Sequence, residues 1–340
     1  MRHTLRMATT MSICSSIIFS LVLFATPARC AEQATLTVVA AYEGKGEIFT
    51  EFHKKTGILI HFFDMSAGEL LARTEAEGGK PLADLWFGGG ADSLIQAKEK
   101  GLLEPYQSPE AEVVPLPYKD AEGYWTGVSL VLAGFLVNSD VLAEKNLPLP
   151  ERWVDLIKPE YKDTLVLADP AISATTFTVA ACLLQKMGEE EGWKYLEALG
   201  RNVSFFTKSS SVPQKKVTSG EMALSLAPLS HEFIGSKTRS QVQMVVPKDG
   251  IPWMPSAVAI FKNARNPVAA KAFVDWVLSV EGQKFIQSKD PRIMVRPEVA
   301  LPKNMESLSL NDLMQADIGR IGAERQRIIG SWAQRIGAKP

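Results

Sequence analysis

Residues 84–106 read DLWFGGGADSLIQAKEKGLLEPY, and the architecture of the chain is organised around them. Leu85, Trp86 and Phe87 form a short apolar run of the kind that ends a buried strand. Gly88, Gly89 and Gly90 follow, and glycine takes positive φ at little cost and leaves its backbone amide uncovered. Leu94, Ile95 and Ala97 then predict a helix, capped by Asp92 or Ser93 and stopped by Gly101. A strand, a bare turn and a helix start together suit a small anion, because free N–H groups converge there. Taken singly, such a run is also what a flexible turn looks like, and it is neither the dinucleotide fingerprint nor a Walker loop. Its weight comes from recurrence of the same design.

Residues 36–40 predict a first strand that opens onto Ala41, Tyr42, Glu43 and Gly44. A helix follows with Ile48, Phe49 and Phe52 on one face. Residues 58–63 predict a second strand, which runs into Ser66, Ala67 and Gly68, with Ser66 as N-cap. Residues 127–137, GVSLVLAGFLV, are too long for an ordinary strand within one lobe and suggest one that crosses between two. A second series begins at 164–168 and enters Ser173, Ala174 and Thr175. Residues 203–206 open onto Lys208, Ser209, Ser210 and Ser211, and 222–226 end near Ser230, His231 and Glu232. A second crossing strand is expected at 257–261, a short extended piece at 292–295, and one arginine-rich helix at 317–336. The expected fold class is therefore α/β: two doubly wound lobes joined by crossing hinge strands, with 33–133 plus 257–300 in one and 134–256 plus 301–340 in the other.

The chain has 340 residues, 46% apolar and 22% charged, with basic and acidic side chains nearly balanced. Nothing in that balance calls for nucleic acid or a bare membrane surface. Residues 1–30 combine Arg2 and Arg6, an apolar run from 11 to 25, and small residues at Ala28 and Cys30, the pattern of a secretory signal peptide. Modification of Cys30 by lipid is the alternative reading, with Arg29 against it. Removing Arg2, Arg6 and Arg29 leaves 34 basic against 38 acidic side chains. Cys182 is then the lone cysteine, without an internal disulfide partner, and reads as a small core residue.

In doubly wound sheets, strand C-termini and the following helix starts share one edge. Two facing lobes would bring Tyr42, Glu43, Ser66, Ala67, Gly68, Gly89, Gly90, Ser173, Ala174, Thr175, Ser210, Ser211, His231 and Glu232 to one cleft. Hydroxyls and amides at helix starts favour a phosphate, phosphonate or carboxylate, and His231, Lys208 or Arg73 are candidate cations. The bland readings stand beside these: Ser66 as a cap only, 209–211 as a loop, Tyr42 as cover for the sheet edge. No catalytic set is expected. Ser230, His231 and Glu232 are adjacent and point apart, no G-x-S-x-G elbow occurs, and His53 and His61 show no metal spacing. No cofactor or bound metal is expected.

Two blocks carry a resemblance. Residues 66–73, SAGELLAR, and 83–92 with 101–106, ADLWFGGGAD and GLLEPY, are similar to segments of the periplasmic substrate-binding proteins of ABC transporters. The group includes ferric-iron-, phosphonate- and sugar-phosphate-binding members. The resemblance implies a periplasmic monomer that clamps a small anionic solute between two lobes and delivers it to an inner-membrane permease. Ferric binders of the group show adjacent tyrosines. Here the comparable region reads Leu229-Ser230-His231-Glu232-Phe233, which favours a sugar phosphate or phosphonate. Ferric ion, with Glu43, His231 and Glu232 as ligands, and a role as ligand sensor for a membrane receptor stand as alternatives.

Overall fold

The computed structural model describes residues 34–337, apart from 43, 66–69, 71, 72, 74–81 and 230–240. The chain opens with β1 (Thr35–Ala41), whose buried positions include Leu36, Val38 and Ala40. Helix α1 (Lys45–Thr56) buries Ile48, Phe49 and Phe52, an i, i+1, i+4 stripe, and Gly57 stops it at φ 74°. Strands β2 (Leu59–Asp64) and β3 (Leu85–Gly90) both run parallel to β1.

Gly88, Gly89 and Gly90 lie inside β3 rather than in a turn after it. Gly88 has φ 89°, and a Cβ there would stand 2.9 Å from the Ala41 carbonyl carbon and the Tyr42 nitrogen. The two strand ends meet at a distance that only glycine allows. Helix α2 (Ala91–Glu99) starts two or three residues earlier than expected, with Gly90 as N-cap and no side-chain cap. Asp92 is instead buried, and its Oδ2 accepts from Arg325 Nε at 2.7 Å.

After β4 (Leu103–Glu104) comes β5 (Thr126–Asn138), 13 residues long and buried almost throughout. Its residues Thr126 to Leu132 pair antiparallel with β10 (Trp253–Phe261), while Ala133 to Asn138 pair antiparallel with β8 (Leu224–Pro228) and β9 (Val242–Val245). Gly134 makes the second set possible, since a Cβ there would lie 2.6 Å from the Val245 carbonyl oxygen. Helix α3 (Ser139–Glu144) is capped by Asn138. The second parallel group is β6 (Leu165–Ala168), β7 (Val203–Thr207) and β8. Helices α4 (Ala174–Met187), α5 (Glu189–Asn202) and α6 (Val212–Thr218) connect these strands. The strand order is β2-β1-β3-β10-β5-β8-β6-β7. It is a mixed sheet: the strand–helix units run parallel, as expected, while β10 runs against β3 and β5 runs against β10 and β8.

Helices α7 (Pro267–Leu278) and α8 (Val280–Lys289) pack on the β1 side, where Phe52, Phe87 and Phe273 make edge-to-face contacts of 5.0 and 5.3 Å. Strand β11 (Ile293–Met294) pairs with Ser129 and Leu130 of β5. The tail forms two helices rather than the single one expected, α9 (Ile318–Ala323), capped by Asp317, and α10 (Arg325–Arg335). Gly322 packs on Ile95, and the Arg325 guanidinium sits 5.1 Å over Phe177. Among the described residues no helix is long and apolar enough to cross a membrane.

Cys182 lies fully buried on α4, and burial pushes its thiol up to about 12. The folded protein then holds this proton where the unfolded chain has lost it, so stability falls as pH rises above about 9. By pH 10.5 the loss from Cys182 alone is about 2 kcal/mol. Urea denaturation at pH 8 and 10.5 should show this slope in the wild type and a flatter one in Cys182→Ala. The Asp92–Arg325 pair gives a second expectation. Asp92→Ala leaves a guanidinium buried without its carboxylate and should cost about 3–5 kcal/mol, while the paired change Asp92→Leu with Arg325→Met should cost much less. Equilibrium unfolding of the two variants checks it.

Candidate functional site

The parallel registers bring strand ends together. Ala40 is level with Asp64 and Ala41 with Gly88, while Ala168 is level with Thr207. The end of β8 meets the midpoint of β5, where Ala133 pairs with Pro228 and the Leu229 amide donates to the Leu132 carbonyl at 2.8 Å. Further along the same flank of β5, Ile293 pairs with Leu130.

A cavity of about 500 Å³ opens over this midpoint. Leu130, Val131 and Leu132 of β5 form one wall, Pro228, Leu229 and Gln214 another, and residues 289–293 with Gly44 and Met305 the rest. Apolar side chains and polar groups share this lining about equally. Its charged members among the described residues are Lys289, Asp290 and Arg292, two cations against one carboxylate.

Those three stand where α8 ends. Asp290 caps the helix in an extended conformation, its N–H donating to the Ile286 carbonyl at 2.9 Å, and Pro291 then carries the chain into β11. Arg292 is fixed by two contacts. Its Nε forms an ion pair with Asp290 Oδ2 at 2.6 Å, and its guanidinium lies 4.8 Å from the centre of the Tyr42 ring. Tyr42 is itself immobile: fully buried, stacked on Phe87 at 4.8 Å, and donating its hydroxyl to Ser129 Oγ at 2.8 Å. Burial pushes the Tyr42 phenol up to about 12, although the Arg292 charge and the Ser129 bond pull the other way. It therefore stays neutral at any ordinary pH. A guanidinium held by its face and one edge, in a wall of mixed polarity, is suited to an oxyanion, with little entropy left to lose.

The residues singled out from the sequence fall as follows. Tyr42 supports Arg292 and spends its hydroxyl on Ser129. Gly89 has φ 83°, and Gly90 caps α2. Ser173 is buried and caps α4 by accepting from the Thr176 amide at 3.2 Å, with Ala174 exposed and Thr175 half-buried beside it. Ser210 and Ser211 are exposed ahead of α6. None of these lines the cavity, although Gly44, Gln214 and Leu229, close to them in the chain, do. Glu43, Ser66, Ala67, Gly68, His231 and Glu232 lie outside the described residues. Arg73 and Lys208, read as candidate cations, are exposed. Arg292, Lys289 and Asp290 are additions from the structure. Their only mark in the sequence is KDPR at 289–292, a helix stop with a cation on each side.

The chain matches the model of the bacterial extracellular solute-binding protein family over residues 80–305. It is 32% identical over 294 residues to a protein of Haemophilus influenzae, covering 84% of this chain and 85% of that one. It is 30% identical over 322 residues to a probable ABC transporter periplasmic-binding protein of Sinorhizobium fredii, covering 89% and 85%. Among solved structures, the periplasmic binding protein AfuA of Actinobacillus pleuropneumoniae, with fructose-6-phosphate bound, superposes with a TM-score of 0.81 at 29% identity, over 89% of this chain and 99% of that one. Iron-bound HitA of Pseudomonas aeruginosa shares the fold at a TM-score of 0.76 and 22% identity, over 88% and 99%. The chain belongs to the bacterial extracellular solute-binding protein family and has the α/β fold of type II periplasmic binding proteins.

Proposed function

We propose that this protein is the periplasmic solute-binding component of an ABC import system and that it captures a small organic anion of sugar-phosphate or phosphonate type. The observation that carries the reading is Arg292, locked on Tyr42 and Asp290 in a cavity wall where, among the described residues, cations outnumber carboxylates. The volume, about 500 Å³, suits an organic molecule better than a lone ion. Binding closes one lobe, 33–133 plus 257–300, on the other, 134–256 plus 301–340, with the middle of β5 as hinge. Closure brings the amides and hydroxyls of Ser66, Ala67, Gly68, Gly89, Gly90, Ser173, Ala174, Thr175, Ser210 and Ser211 to the anion, while His231 and Glu232 read the rest of the ligand. Residues 1–30 direct export and are removed, and the loaded monomer docks on a permease.

A ferric ion needs anionic ligands. In the described lining the one carboxylate, Asp290, is already paired with Arg292, and Tyr42 is held as a neutral phenol.

The test is binding by the mature chain, residues 31–340, refolded to strip ligand. The panel is fructose 6-phosphate, glycerol 3-phosphate, 2-aminoethylphosphonate, inorganic phosphate and ferric citrate. At a hundredfold excess over Kd an organic phosphate or phosphonate should raise Tm by about 4 °C. Arg292→Gln should weaken that binding about 10- to 100-fold. Tyr42→Phe should lower stability by about 1–2 kcal/mol, because Ser129 loses its partner, and leave affinity within a few-fold. A shift with ferric citrate alone, with a coloured complex, overturns the reading.

A further inference from the structure

We propose that Gln214 reads the uncharged part of the solute, hydrogen bonding a hydroxyl or carbonyl there while Arg292 holds the anionic group. The proposal rests on the anion reading given above and names a specificity-determining residue for it.

Gln214 stands in the first turn of α6 and lines the cavity. The helix around it is fixed. Pro213 and Val217, one turn apart, are both buried, and the Val217 carbonyl accepts from Asn138 Nδ2 at 2.9 Å. Asn138 ends β5, so Gln214 is carried by the second half of that strand. Arg292 stands just before β11, which pairs with Ser129 and Leu130 in the first half. A solute that touches both residues therefore spans the exchange of neighbours at Leu132 and Ala133, and a cavity of about 500 Å³ has room for such a molecule.

The chemistry of the amide suits that role. Polar neighbours on α6 are occupied: Lys216 pairs with Glu221 at 2.5 Å, and the Thr218 hydroxyl donates to the Lys215 carbonyl at 2.9 Å. Gln214 is half-buried, and its side chain makes no hydrogen bond to another described residue. A primary amide offers two donors and a carbonyl acceptor and carries no charge. A hydroxyl is matched by both sides of it, whereas an oxyanion uses only the donors. Arg292 competes for that oxyanion with a full charge and forked donors, so the anion goes to the guanidinium and the amide is left to the neutral end. The other members of its wall, Pro228 and Leu229, offer no side-chain donor or acceptor. A solute without a polar group at that end leaves the amide unmatched once water is excluded, and discrimination comes from that loss.

The experiment is calorimetry at pH 8 with the mature chain, using fructose 6-phosphate and glycerol 3-phosphate as hydroxylated probes and methyl phosphate and inorganic phosphate as bare ones. Gln214→Met keeps the length of the side chain and removes the amide, and Gln214→Ala removes both. Either change should weaken the better hydroxylated probe by about 5- to 50-fold and leave the bare probes within about threefold of their wild-type affinity. The preference is a ratio within one protein, so a loss of stability does not mimic it. An unchanged ratio in both variants overturns the role of Gln214. If Arg292→Gln weakens all probes in that case, the anion reading stands and Gln214 is only part of the wall. If Arg292→Gln changes no affinity, or the wild type binds no probe, the anion reading falls and the role of Gln214 with it.

Discussion

Backbone hydrogen bonding along a single strand governs this molecule. Every N–H and C=O of a buried strand must find a partner, and Thr126–Asn138 is buried along nearly its whole length. It meets that demand by changing neighbours halfway. The first half takes β10 and β11, the second β8 and β9, and the exchange falls at Leu132 and Ala133. At such an exchange two groups of strands end against each other, and a gap remains between their edges. The cavity lies over that gap. Its place follows from strand pairing, before any side chain is considered.

What fills the wall is a balance of burial and charge. A guanidinium is costly to bring out of water unless its donors and its face are matched. Arg292, about one quarter exposed, has Tyr42 under it and Asp290 at its edge. Tyr42 in turn is matched by Ser129 on β5, so the crossing strand, the first strand and the segment after α8 are tied together by three side chains. Removing any one leaves a polar group without its partner, which couples the site to the stability of the sheet.

Much of this was legible in the residues. The apolar run at 127–137 is longer than one sheet needs, and that length alone pointed to a strand with two sets of neighbours. The strand–turn–helix rhythm gave the parallel groups. Side-chain roles were harder to read. Asp92 has the look of a cap, and only the distant Arg325, 233 positions on, makes it a buried ion partner. Arg292 sits in a stretch with no periodicity, and its meaning depends on Tyr42, 250 positions earlier. Local pattern reports which face of an element is apolar; it carries nothing about which far segment will stand opposite. Gly88 shows the limit from the other side, since its φ was foreseen but its closeness to Ala41 and Tyr42 is set by sheet register.

The strand order has a consequence for how the protein comes into being. β10, residues 253–261, lies between β3 and β5, and Arg325 closes on Asp92. The sheet begun by the first hundred residues therefore stays incomplete until most of the chain exists. Such distant pairing makes for slow folding, because a long loop must close before its contacts reward it. A chain still being synthesised therefore lacks the strand that joins β3 to β5 until residue 261 has been added.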